Sequence, residues 1–480
     1  MSKKTRRLPA LFAILTLILT AFPTGYLAQR ANVAGSAARG AAIAAATSEV
    51  LKETSAIREL AILRPVKSGA QTRLEIEGML VKQLDEQTSA AQMHGTEVGL
   101  RKFGLAPANF EYRPFIIKLL TEQVAGYYDP KLQMFHLADW LELEGQKPVM
   151  AHELTHALQD QHFNLRRFEK WPHGDSDAEL AAHALIEGDA TLAMTIYMAK
   201  NPLVALAFSR SLTTGVATEQ FNQAPRALRE SLIFPYLQGM EWTTQLYKRG
   251  GWSLVSKAFT QLPASTEQIL HPEKYFNDER PVQVILPDLT ALLTNPAAVT
   301  QSPAATAGAL PAPVRTKPTR RIIAKLHVPA VPSPNAPWRR IDSDVNGEWN
   351  YYLVLDQFLN SAAESKRAAA GWAGDRYALY EGPNGQVLLA QVAVWDTEND
   401  AREFFDAYVK RTELRYPGAT RLNSGAKPET RNSKLQTASS YSWETSEGRV
   451  AIELRGSRVV ILEGVPEKVD VETLTAALGQ

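Results

Sequence analysis

Apolar and polar positions change period several times along the chain, and each change predicts an element. Leu11 to Phe22 form a largely apolar run directly behind Lys3, Lys4, Arg6 and Arg7. A basic flank followed by an apolar core of about a dozen residues has the form of an export signal, and is short of the ~20 residues that span a bilayer. Residues 1–28 are therefore expected to direct export, or to remain as an uncleaved anchor that tethers the protein to a membrane. Residues 29–48 are rich in alanine and glycine and read as a spacer before a polar helix around 49–62. A helix is expected over about 74–93.

Between 114 and 260 the pattern becomes mostly helical. Tyr127-Tyr128-Asp129-Pro130 reads as a turn, Leu132 to Leu137 as a strand, and Val149 to Asp160 as a buried helix starting near Pro148. Residues 176–199 repeat small and apolar side chains at helical spacing, and 221–260 read as helix with Trp242, Trp252 and Phe259 in its core. Around 290–320, Ala, Pro and Thr dominate and the periodicity is lost, as in a linker that continues through the prolines of 329–337. Beyond it lies a smaller α/β unit. Strands are expected at 377–380, 387–395, 440–444, 449–454 and 459–462, with helices at 398–412 and 466–477; Gly371 to Asp375 reads as a tight turn. The expected organisation is a leader or anchor (1–28), a spacer and helix (29–62), a mostly helical unit (63–289), a linker (290–337) and a smaller α/β unit (338–480).

Composition narrows the chemistry. Lys and Arg number 52 against 51 Asp and Glu, which argues against a dominant nucleic-acid surface; no nucleic-acid partner is expected. The absence of cysteine excludes disulfides, thiolate metal sites and cysteine nucleophiles. A transition metal must then be held by histidine and carboxylate. Seven of the nine histidines, His94 to His183, lie within 90 residues.

His152-Glu153-Leu154-Thr155-His156 stands inside the apolar helix. Residues four apart share a helix face, so both imidazoles can reach one ion, and Glu153 can face the water that the ion would activate. A third protein ligand is required, leaving one position open. Glu179, His183 and Glu187 are spaced by four on the next helix. Glu187 is favoured, because it lies in the most apolar stretch and is followed by Gly188, which permits close helix approach; His183 and Glu179 are the alternatives. Asp160, Asp177 and Asp189 could orient ligand imidazoles, although capping or solvation is the better reading for Asp175 and Asp177.

These residues resemble the gluzincin zinc metallopeptidases, in which a glutamate from a later helix completes the H-E-x-x-H site. They are most similar to a little-characterised group of bacterial exported or membrane-associated proteins that carry H-E-L-T-H-A-L-Q-D-Q together with E-G-D-A-T, F-P-Y-x-x-G and S-T-E-Q-I-L-H-P-E-K-Y. Here the last three are Glu187–Thr191, Phe234–Gly239 and Ser265–Tyr275. The likeness covers about 110–280. It implies an α+β architecture, with a mostly helical zincin-like catalytic domain, a short strand region before the H-E-x-x-H helix, and the smaller C-terminal α/β domain. It also implies zinc bound by His152, His156 and Glu187, with Glu153 as general base in the hydrolysis of a protein or peptide substrate. Two features differ from thermolysin-like enzymes: the His156–Glu187 spacing is longer, and Thr191 stands where they have an aspartate. An oxyanion donor is also needed. His271 and Tyr236 are the leading candidates, followed by Tyr247 and Tyr275. The alternative reading is a non-catalytic envelope binding or assembly protein that retains a structural zinc site.

Overall fold

The computed structural model describes residues 33–170, 174–213, 219–295, 336–422 and 439–479. The expected leader or anchor (1–28) and most of the expected linker (290–337) lie outside these residues. What is described is a mixed α/β architecture with a mostly helical N-terminal region and a smaller β-rich C-terminal unit.

The N-terminal region begins with α1 (Val33–Arg58), then β1 (Lys67–Gln71), α2 (Arg73–Gln87), α3 (Ala90–Lys102) and α4 (Tyr112–Gln123). The helix expected near 49 thus starts at least 16 residues earlier, at Val33, and takes in most of the alanine-rich spacer. Alanine is the strongest helix former, and Ile43, Ala46 and Val50 give the segment a face to bury. The single helix expected over 74–93 is two helices. Ser89 stops the first and starts the second, because its side chain accepts from Gln92 N while the Gln92 side chain accepts from Ser89 N.

Strands β2 (Gly126–Asp129) and β3 (Met134–Ala138) follow, in a three-stranded sheet ordered β1-β3-β2. The turn expected at Tyr127–Pro130 falls later. Tyr127 and Tyr128 are strand residues, and Asp129 closes the turn by accepting from the backbone of Lys131 and Leu132. Next come α5 (Leu143–Phe163), α6 (Ser176–Lys200), α7 (Pro202–Thr213), α8 (Glu219–Gln223) and α9 (Arg226–Ala258). Helix α5 starts at Leu143, so Pro148 lies inside it rather than at its first turn. Helix α9 is interrupted at Gly250 and Gly251, which leave helical geometry. Short helices α10 (Thr266–Leu270), α11 (Pro272–Phe276) and α12 (Thr290–Thr294) lead out of the region.

The C-terminal unit contains β4 (Arg339–Asp344), α13 (Gly347–Leu359), α14 (Ala362–Ala369), β5 (Trp372–Glu381), β6 (Val387–Trp395), α15 (Glu398–Arg415), β7 (Thr420–Leu422), β8 (Ser439–Thr445), β9 (Gly448–Arg455), β10 (Arg458–Val465) and α16 (Val471–Leu478). All neighbours in its sheet, ordered β4-β5-β6-β10-β9-β8-β7, are antiparallel. Alternation along the strands fills two cores. Leu389, Ala393, Val459 and Ile461 join the main core with Tyr351, Leu355 and Phe404 from the helices. Leu388, Ala390, Val460 and Leu462 point the other way, onto Val284, Leu289 and Leu293 from upstream and Leu474 and Leu478 of α16.

The two regions interlock through charge as well as packing. Arg411 on α15 is fully buried, pairs with Glu463 on β10 and donates to the Phe103 carbonyl beyond α3. Arg226 at the start of α9 reaches Asp356 on α13. The segment Ser265–Tyr275 is a second clasp. Thr266 donates to Asp177 of α6 through both its backbone and its hydroxyl, His271 pairs with Glu348 at 2.9 Å, and Lys274 reaches Asp396. Asp177 is therefore a buried acceptor, not a solvated cap; Asp175 takes the capping role by accepting from Ala178 N.

Among the described residues no single helix is long and apolar enough to cross a membrane. The bent pair Ser176–Lys200 and Pro202–Arg210 passes by length and composition together, with 110° between its halves. Its first half is α6, most of whose residues from Asp177 to Met198 are buried in this fold.

Candidate metal centre

Helices α5 and α6 pack side by side, and α9 packs against α6. The α6–α9 approach depends on two glycines. A Cβ on Gly188 would overlap the backbone of Gly239, and one on Gly239 would overlap the backbone of Ala184. Backbone contact without intervening side chains brings Tyr236, one turn before Gly239, over the edge of α5. Its ring lies 5.9 Å from that of His152, centroid to centroid.

The sequence spacing of four on α5 places both imidazoles on one face. His152 Nε2 and His156 Nε2 are 3.1 Å apart. Glu187 Oε2 lies 3.0 Å from the first and 3.4 Å from the second. Ligands held at about 2.0–2.1 Å in a tetrahedron are separated by roughly 3.3 Å, so these three atoms have the spacing of three corners around one divalent ion. The donor set suits the chemistry as well, since two neutral imidazoles and one carboxylate are borderline ligands of the kind zinc takes. Both histidines are buried, and the Glu187 side chain is 23% exposed. Of the three α6 residues spaced by four, Glu187 is the one in the cluster; His183 is exposed and Glu179 half-buried.

Electrostatics agree with this arrangement. Burial alone would raise the Glu187 carboxyl, but the adjoining imidazoles of His156 and His152 outweigh it and hold the group well below the usual carboxylate range. Burial likewise disfavours charge on His156, yet Glu187 and Glu153 lift it to about 9. The three side chains thus form a site that attracts positive charge.

Glu153 stands beside the cluster and outside it. Its Oε2 accepts from Tyr128 N at 2.9 Å, so strand β2 fixes the carboxylate that α5 presents. Burial raises its pKa, partly opposed by His156 and His152. Tyr236 is also raised well above its ordinary value, by burial and by the charges of Glu187 and Glu153, and remains a neutral donor.

The family described as Domain of unknown function (DUF8575) matches residues 336–475, the β-rich unit rather than the helices that carry the cluster. No curated protein and no solved structure matches the chain.

The other oxyanion candidates are engaged elsewhere. His271 belongs to the clasp, with Nε2 on Glu348 and Nδ1 3.9 Å from Glu273. Its segment is anchored through Thr266 to Asp177, ten residues before Glu187 on α6, about 15 Å along the helix. Tyr275 donates to the Gln261 carbonyl, and Tyr247 is eleven residues beyond Tyr236 on α9, about 16 Å along it. His136 stacks on Tyr127 in the strand pair and is not part of the cluster.

Three contributors were not read from the sequence. The Tyr128 backbone amide is one. Gln159 is another: it lies three residues after His156 and touches its Nδ1 at 2.9 Å. Arg58, at the end of α1, is the third; it pairs with Asp189 with both side chains fully buried. Asp189 therefore reaches His156 through Gln159, and Asp160 binds Tyr128 Oη, Arg64 and Leu165 N instead of an imidazole. The i,i+3 spacing of His156 and Gln159 was the one available signal. His152 Nδ1 is buried without a hydrogen-bond partner among the described residues.

Proposed function

We propose that this protein is a zinc-dependent peptidase related to the gluzincins, acting on a protein or peptide substrate outside the cytoplasm. The observation that carries the reading is the convergence of His152 Nε2, His156 Nε2 and Glu187 Oε2 within 3.4 Å of one another, with Glu153 held separately on the same helix. When bound, zinc polarises a carbonyl and lowers the pKa of water. The chain supplies the rest. Glu153, fixed by Tyr128 N, takes a proton from the attacking water and returns it to the departing amine. Tyr236 is a neutral phenol beside His152 and donates to the developing oxyanion. The basic and apolar N-terminal sequence supports export or tethering at a membrane.

Elemental analysis together with cleavage of an unbiased peptide library tests the proposal. The wild type is expected to carry one zinc per chain and to cleave; Glu153→Gln should keep the metal and lose about 10²–10⁴-fold in turnover. Zinc without cleavage in both proteins would favour the structural-site reading. Undiminished cleavage by Glu153→Gln would overturn the mechanism.

A further inference from the structure

We infer that Gln159 is a positioning residue that fixes the ring tautomer of His156 and, through the same amide, the backbone beside Glu187. The inference rests on the zinc reading above and extends it to residues outside the H-E-x-x-H signature.

A glutamine amide can ordinarily be turned either way, and here its neighbours allow one orientation. Gln159 Nε2 lies 3.0 Å from the Ile186 carbonyl and 2.9 Å from Asp189 Oδ2. Both are acceptors, so the amide must present its NH₂ to them. Gln159 Oε1 is left facing His156 Nδ1 at 2.9 Å. An acceptor at Nδ1 requires the proton there, and a neutral ring protonated at Nδ1 carries its lone pair on Nε2, the atom that points into the cluster. The tautomer is thus dictated by two acceptors on α6.

The anchor behind them is equally defined. Asp189 is fully buried and held by Arg58, which stacks over Trp252 at 4.5 Å and donates to Ser256 Oγ at 3.2 Å. Ile186 is the residue before Glu187, so the amide that orients one ligand also pins the main chain of another. Helices α1, α5, α6 and α9 all meet at this side chain or its anchor.

The arrangement separates Gln159 from an ordinary acceptor. If the residue served only to accept from His156, Gln159→Glu would preserve or raise metal affinity, because a carboxylate partner makes a ligand imidazole more basic. If the two donated bonds matter, glutamate fails: it cannot donate to the Ile186 carbonyl and it faces Asp189. We expect Gln159→Glu and Gln159→Met each to weaken Zn²⁺ affinity about 10–100-fold, measured by chelator competition, and to alter the visible spectrum of the Co²⁺ form. Thr155→Val, a buried substitution on the same helix whose hydroxyl bonds only its own helix carbonyl, should bind as wild type does. Wild-type affinity in Gln159→Met, or undiminished affinity in Gln159→Glu, would overturn the inference and leave the zinc reading standing. A wild type that binds neither Zn²⁺ nor Co²⁺ overturns the zinc reading and this inference with it. Should the variants misfold, ¹⁵N spectra of the wild-type histidine rings decide the matter, since a His156 ring without a protonated Nδ1 in the zinc form contradicts it.

Discussion

Gly188 and Gly239 meet backbone to backbone, and that contact sets how far Tyr236 on α9 stands from the face of α5 that carries His152 and His156. Each glycine is buried in a helix, where glycine otherwise costs up to about 1 kcal/mol relative to alanine. Gly188→Ala is expected to force the helices apart and lower stability by about 1–3 kcal/mol, the usual range for overpacking. Because Glu187 is the neighbouring residue, zinc affinity should fall as well. Thermal unfolding and chelator competition on the same preparation check both; an unchanged melting temperature would contradict the contact.

Removing the phenol without disturbing the ring isolates the part Tyr236 plays. Tyr236→Phe should retain zinc and lose about 10²–10³-fold in kcat with little change in KM, the size expected for one oxyanion donor. Equal kcat in the variant would return the role to another group.

His271→Ala should behave in the opposite way. Its removal leaves the buried Glu348 carboxylate without its partner, a loss of about 1–3 kcal/mol in stability, while zinc content and kcat per folded molecule stay near wild type. A selective collapse of kcat with normal melting would place His271 in the catalytic cleft after all.

Acid should weaken the ion pairs that hold α15 against β10. Burial alone would raise the Glu463 carboxyl, but Arg411, Arg415 and Lys102 outweigh it and lower the group from 4.5 to about 2. A depressed folded pKa contributes stability that is complete above the unfolded value and is lost as pH falls. The window is therefore about pH 4.5 down to 2, and the contribution on the order of 3 kcal/mol. Denaturant titrations at stepped pH should show this decline. In Glu463→Gln the slope across that window should shrink, with lower stability at neutral pH.

The candidate cluster is legible in the sequence where its signals are local. His152 and His156, four apart in an apolar run, needed only helical geometry, and Glu187 was legible for the same reason with Gly188 beside it. The β-rich unit is equally readable: the strand expected at 387–395 is β6, and those at 449–454 and 459–462 lie within β9 and β10, because strands with a core on each face stand out as short apolar runs rich in valine, leucine and isoleucine. The contacts that are not legible depend on partners distant in the chain. Arg58 and Asp189 are 131 residues apart, and nothing near either predicts the pair. Asp177 has the local signature of an N-terminal helix acid, and its burial follows from Thr266 arriving 89 residues later. His271 stood in a segment whose polar residues resembled catalytic ones, when their partners lie on α13 and near α15.

Val284, Leu289 and Leu293 lie beneath Leu388, Ala390, Val460 and Leu462, and Val282 N donates to the Ala373 carbonyl at 2.7 Å. A fragment begun at residue 336, where the family match starts, would keep α16 on this face of the sheet but lose the cover that Val284, Leu289 and Leu293 give it. Such a piece would be prone to clump or precipitate, since bare apolar patches of this kind promote self-association. The packing of this unit thus begins about fifty residues before the stretch that the family match covers.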